Sequence, residues 1–379
     1  MASISNRRKF ELYVFLSTFS RNLIEVFIPV ILYKFGYELK EVILYFLLSN
    51  MFSLILSYPL IEFSKKFNNK ILTLIGIVSF IIVQLMLANI VYSLEYITIL
   101  AFVYALYRRG YWISRRFYNL QVMEKEKIGT AFSIISIVNH LGVIFASYIG
   151  AIMLDFLDVD TVTIVSIIIF VFSIFPLSFM NFKHEKNNEK MHLFKTLKDI
   201  PFRDLYLFGS YELLNVVKFM FALYIVIYVK DTYATVGLFN LITNLSVLGF
   251  SYFYGKKIDE KQNLLKLSIV LVVITYIFKA NTTYIALAIV SFLEGIFTKM
   301  HEISISKEFY TLSKKFEYNN YNLAYEVVQN SFRSIALFCT YIFNIDLKAM
   351  IYILLAFMFL GAFMNFKQLD KKNKSRVNF

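Results

Sequence analysis

Apolar residues in this chain run in long unbroken stretches separated by short polar, basic ones, without the half-polar rhythm of a surface helix or strand. A helix needs about 20 mostly apolar residues to cross a bilayer. Twelve stretches approach that length: 10–33, 42–59, 71–92, 96–117, 128–154 and 161–182 in the first half, then 205–229, 233–254, 265–278, 283–305, 321–343 and 349–366. They predict an all-α integral membrane protein with twelve transmembrane helices. The ninth stretch is short, and Lys266 and Lys279 at its ends are placed to snorkel towards the headgroups. The polar segment 183–204 joins the halves, and its MHLFKTLKDI portion predicts a short surface helix; His184 and His192 there lack metal-ligand spacing.

The halves echo one another. ISRRFYNL (113–120) returns as ISKEFYTL (305–312), LYVF at Leu12 as LYLF at Leu205, and SKKFNNK at Ser64 as GKKIDEK at Gly255, in one order and at nearly one spacing. The chain therefore divides into a six-helix unit over 1–182, a linker over 183–204, and a second six-helix unit with a short basic tail over 205–379. In membrane proteins such duplication accompanies transport, because two related bundles can rock about a site between them.

Composition agrees: 58% of residues are hydrophobic and 17% charged, against about 45–50% and about 25% in soluble domains. The net charge of +13 is not a nucleic-acid groove, since the basic residues are spread between apolar runs. With the N-terminus inside, Arg7, Arg8, Lys9, Lys65, Lys66, Lys70, Arg115, Arg116, Lys125, Lys127, the linker lysines, Lys256, Lys257, Lys261, Lys307, Lys314, Lys315 and the tail all fall on one surface. That positive-inside bias predicts a multi-pass plasma (inner) membrane protein with both termini cytoplasmic. The single cysteine, Cys339, excludes an internal disulfide and reads as packing in an apolar run. No cofactor or metal site is expected. HEISI (301–305) lacks the second histidine of a zinc helix, and no phosphate-binding glycine loop occurs, so the chain reads as neither an enzyme nor an ATP-driven pump.

Charge at bilayer depth costs at least about 2.5–3.5 kcal/mol per residue, so intramembrane charges mark protein-lined or watery surfaces. They concentrate in the first stretch (Arg21, Glu25), fourth (Arg108, Arg109), seventh (Glu212, Lys218), tenth (Glu294, Lys299, His301, Glu302) and eleventh (Glu326, Arg333), with His140 in the fifth; the third, sixth and twelfth have none inside. Twelve spans, a six-plus-six repeat and this distribution resemble the major facilitator superfamily. The resemblance implies that helices 1, 4, 7 and 10 line a central cavity, 2, 5, 8 and 11 flank it, and 3, 6, 9 and 12 face lipid, in a monomer. The motifs are eroded. Where the family reads roughly G-x-L-a-D-R-x-G-R-R, this chain has IEFSKKFNNK (61–70), without the aspartate, which leaves its lysines to the headgroups. Helix 5 has Gly142 and Gly150 for close packing but no exporter-type glycine-proline pair.

Aligning LYVF with LYLF sets Asn22 on Asn215 and Glu25 on Lys218, an acid and a base at pseudo-symmetric positions. They are expected to face each other or share a substrate; the alternative is local pairing of Glu25 with Arg21 one turn away. Successive helix residues point about 100° apart, so one of Arg108 and Arg109 is expected in the cavity, with Arg108 sharing a face with Trp112. Substrate-binding candidates are therefore Asn22, Glu25, Arg108, Trp112, Asn215 and Lys218. Proton-coupling candidates are Glu25, Glu212, Glu294, Glu326 and His140, with Glu326 and Arg333 two turns apart as a candidate pair. The function expected is alternating-access secondary transport of a small organic molecule, led by proton-coupled export of an amphipathic anionic or zwitterionic compound. Uptake of an organic acid or amino-acid-like metabolite is the alternative, and a lipid or lipid-linked-precursor flippase the other class.

Overall fold

The computed structural model describes residues 2–122, 128–182, 190–260, 264–282, 284–343 and 345–360, and every regular element among them is helical. In chain order these are α1 (Ala2–Asn22), a 3-10 turn (Glu25–Phe27), α2 (Ile28–Phe35), α3 (Leu39–Lys66), α4 (Asn69–Ala88), α5 (Leu94–Val122), α6 (Ile128–Phe156), α7 (Val159–Ser178), α8 (Leu193–Asp199), α9 (Phe202–Tyr228), α10 (Tyr233–Glu260), α11 (Leu264–Lys279), α12 (Tyr284–Ser313), α13 (Tyr318–Phe343) and α14 (Leu347–Leu360). Within the described residues each apolar stretch falls on a helix, the first on α1, the turn and α2 in series, while 361–366 of the twelfth lie outside them. Eight of these units are long and apolar enough to cross a membrane. Helices α5 and α13 are long but carry charge, and α11 and α14 are shorter. The expected linker helix is α8, while His184 and the basic tail lie outside the described residues.

Local sequence sets the ends. Glu38 and Glu41 form a reciprocal capping box on α3, and Asn68 and Asp158 accept backbone N–H groups at the starts of α4 and α7. Gly36, at φ 118°, closes α2 in the left-handed conformation that a side chain resists.

Within the first half α1 packs on α6 and α7, and α4 on α5 and α7; within the second, α10 and α11 pack on α12, and α9 on α13. Two seams join the halves, α6 along α10 and α3 along α13. Glycine makes the closest approaches possible. Gly76 and Gly110 bring α4 and α5 together, where a Cβ on Gly110 would stand 2.9 Å from the Leu72 carbonyl oxygen. Gly237 and Gly255, near the two ends of α10, abut Ser147, Ala151 and Ser133 of α6. Gly142 and Gly150 serve the expected close contact, against the α1 backbone and Leu23.

Helices α4, α7, α11 and α14 turn apolar side chains such as Val78, Ile168, Phe172, Ile274 and Phe357 outward, as the resemblance implies. Cys339 corrects an expectation: it is exposed, on a face of α13 shared with Ile335, Phe338 and Ile342. Of the loop lysines, Lys66 is exposed. Lys65 is buried against Glu62 at 3.1 Å, and Lys70 donates to the Ser178 carbonyl.

Candidate functional site

Between the halves lies a hollow of two adjoining chambers, about 350 and 270 Å³, which together fall within the range of small-molecule sites. Asn22 and Val26 from the first half and Asn215, Phe219 and Glu302 from the second line both chambers. The first is walled by α1, α5, α9, α12 and α13, and Tyr104, Trp112, Tyr211, Phe309, Tyr310 and Tyr325 give it an aromatic surface. The second lies among α6, α9, α10, α11 and α12 and contains Lys218, His140, Lys279 and Glu294.

Buried charges persist only when paired or hydrogen-bonded, and every carboxylate of the hollow has a cation. Glu25 meets Arg21 at 2.9 Å and accepts from the Tyr104 hydroxyl at 2.9 Å. Glu212 pairs with Arg333 and accepts from the Asn215 amide. Glu294 meets Lys279 at 2.5 Å and accepts from the Tyr276 hydroxyl. Glu302 meets Lys299 at 3.1 Å. Glu326, fully buried on α13, crosses to the other half and takes both Arg109 and Arg116 of α5.

Three cations in or beside the hollow have no carboxylate partner among the described residues. Arg108 donates to Asn50 Oδ1 at 3.0 Å and lies 5.9 Å from the centre of the Tyr104 ring. Arg115 donates to Asn139 and to the Tyr111 hydroxyl and lies over the Trp112 ring at 5.1 Å. The Lys218 amine has neither a hydrogen bond nor an ion pair among the described residues. Cations therefore outnumber carboxylates, and the imbalance reaches both chambers through Arg108 and Lys218.

The structure gathers Asn22, Glu25, Arg108, Trp112 and Asn215 around the first chamber, and Asn22, Asn215 and Lys218 around the second. Four expectations are corrected. Glu25 does not pair with Lys218: an i, i+4 neighbour is closer, so Arg21 holds it, and Lys218 lies in the next chamber. Arg108 and Arg109 both line the first chamber, because the long Arg109 side chain reaches across to α13. Glu326 and Arg333 do not pair with each other, since each meets an opposite charge on another helix. Lys279 does not snorkel; it is 5% exposed and turns inward to Glu294 and the Phe221 ring. His140 bonds Asn244 at 2.7 Å and stands 3.5 Å from the Lys299 amine.

Contacts between the halves bridge both faces of the hollow. Towards the face carrying the start of α1 (the N-terminal face), Glu326 and its arginines are joined by bonds from Arg116 to Asn322 and from Asn119 to the Tyr310 hydroxyl. On the opposite face Asp155 of α6 accepts the first backbone N–H groups of α10, from Tyr233 at 3.0 Å and Ala234 at 2.6 Å, and Lys34 meets Asp231 at 2.9 Å. Sequence reasoning missed these ties, because nothing local to Asp155 or Arg116 names a partner so far along the chain.

The sequence matches the Major Facilitator Superfamily over residues 12–306. The chain belongs to that superfamily. Solved members share the fold at low identity. The human organic anion transporter MFSD10 (TETRAN) is 12% identical, with a TM-score of 0.64 over 95% of this chain and 99% of that one. A bacterial homologue of the iron transporter ferroportin, in an outward-facing state, is 13% identical, with a TM-score of 0.65 over 96% and 98%. No curated protein matches the sequence. As a superfamily member the chain is a multi-pass membrane transporter, and its two-chamber hollow lies where the halves of that fold meet.

Proposed function

We propose that this protein moves an amphipathic organic anion across the plasma membrane by alternating access, coupled to protons. The units 1–182 and 205–379 rock about the α6–α10 and α3–α13 seams, with the N-terminal face towards the cytoplasm. The supporting observation is the unbalanced charge of the hollow. A cation held in the hollow without a carboxylate partner is costly, and an anionic substrate is the natural counter-charge for buried Arg108 and half-buried Lys218. The aromatic wall of the first chamber suits an apolar body beside that charge. One of the solved structures that share the fold, MFSD10, is an organic anion transporter, which accords with this reading.

The ion pairs also bear on coupling. A proton loaded onto Glu25 frees Arg21, which is already in the chamber wall, to hold an anion. Proton and anion then favour each other's binding, as reciprocal linkage requires. That sign suits symport, so uptake of an organic acid gains on the export reading, in which proton and substrate compete. Glu294 offers the same exchange with Lys279 in the second chamber; Glu212, Glu326 and His140 are the secondary candidates. In proteoliposomes an inward proton gradient is expected to drive organic-acid accumulation, and Glu25→Gln to abolish the gradient's effect while leaving anion exchange. Gradient-driven transport unchanged in Glu25→Gln and Glu294→Gln would count against both residues. Acid outside driving efflux would reinstate export.

A further inference from the structure

The two chambers differ in chemistry, and each has its own uncommitted cation. In the first, Arg108 is fixed by Asn50 and has no carboxylate partner among the described residues, while the neighbouring Arg21, Arg109, Arg116 and Arg333 are all taken. In the second, Lys279 is taken by Glu294 and Lys299 by Glu302, and His140 is bonded to Asn244. Only Lys218 among that chamber's cations is left without a bonding partner among the described residues. Around it the wall is largely apolar: Val143, Phe221, Ile225, Val236, Phe239 and Val247. The passage between the chambers is lined by Val26 and Phe219, with the Asn22 and Asn215 amides beside them and Glu302 held to one side by Lys299.

A molecule with one acidic group satisfies one of these cations and leaves the other bare. We infer that the preferred substrate is an elongated molecule with two acidic groups joined by an apolar segment, one acid at Arg108 and the other at Lys218, its middle lying along Val26 and Phe219. This deepens the organic-anion reading and rests on it. The guanidinium suits a planar carboxylate held by two parallel bonds, whereas the ammonium acts as a point charge, so the Arg108 end is the more selective of the two.

The test is binding to the purified protein in nanodiscs, comparing straight-chain monoacids with diacids of equal length: hexanoate with hexanedioate, and likewise through dodecanoate and dodecanedioate. The diacid is expected to bind about tenfold more tightly at an optimum length, which corresponds to about 1.4 kcal/mol. Lys218→Met is expected to reduce that diacid-to-monoacid ratio to about one, and Lys218→Arg to restore it. Lys218 has no ion pair to orphan, so Met fits its partly apolar surroundings. Equal affinities of monoacid and diacid at every length, or a ratio unmoved by Lys218→Met, would overturn the two-headed substrate while leaving the anion reading standing. Binding of neither series would sink the anion reading itself, and the inference with it.

Discussion

Glu326→Gln is the most informative single change at the N-terminal face. Glu326 is fully buried, and its two oxygens take Arg109 and Arg116 of the opposite half. Removing the charge while keeping the shape leaves two guanidiniums facing a neutral amide. Arg116 keeps its bond to Asn322 and its place over the Tyr325 ring, but Arg109 has no substitute acceptor among the described residues. Breaking a buried pair from one side costs about 3–5 kcal/mol. That cost applies only while the face is closed, because opening lets water reach both arginines. The closed-to-open ratio at this face is therefore expected to fall by about a hundredfold or more. The assay uses a Cys339→Ser background with Ser306→Cys, a position in the wall of the first chamber, and an impermeant maleimide added to the N-terminal face. Glu326→Gln should raise the labelling rate, and adding Arg109→Gln should bring it part of the way back, since the double change leaves fewer unpaired charges. A labelling rate unchanged in well-expressed Glu326→Gln protein would refute the reasoning.

Asp155→Ala should do the reverse, exposing the hollow from the opposite face. Its two bonds to the start of α10 make it a cap supplied by the other half, worth about 0.5–2 kcal/mol, and the same maleimide added from that side reads the change. Gly76→Val should lower the melting temperature of the purified protein markedly, because a Cβ there would stand 2.8 Å from the Tyr111 backbone nitrogen. Gly249→Ala should raise it slightly, since nothing lies within 4 Å of the new methyl and the helix gains up to about 1 kcal/mol. Equal melting temperatures for these two variants would show that helix contact at Gly76 is not limiting.

Much of this was legible because bilayer physics writes itself into sequence. Apolar length placed the helices, and the cost of buried charge pointed to the stretches that line the hollow. The repeat alignment brought Asn22 and Asn215 to both chambers. Pairing was not legible. Glu25 could meet Arg21 or Lys218, and only backbone geometry decides between a neighbour one turn away and a residue in another bundle. Glu326 and Arg333 lie two turns apart, yet their partners come from α5 and α9, which no spacing rule could name. Lys279 misled for a related reason: position at a helix end predicts snorkelling, but an acceptor on α12 outcompetes the headgroups. Ion pairing is a property of the assembled bundle, so a single sequence shows which charges are buried before it shows which charges meet.

The excess of cations bears on the transport cycle as well as on the substrate. In the proposed alternating-access cycle, the carrier must close both faces over the hollow and strip much of the water from Arg108 and Lys218. An uncompensated ion in such a place costs several kcal/mol, and bound anion offsets that cost. The loaded carrier should therefore cross the closed state readily, and the empty carrier rarely. Exchange of labelled for unlabelled substrate across a proteoliposome membrane should then run several-fold faster than net release into substrate-free buffer. Lys218→Met removes one of the two bare charges and should narrow that gap by speeding net release. If exchange and net release ran at one rate in the native protein, the empty hollow would have to cross as easily as the filled one, and the charge imbalance would have no part in the cycle.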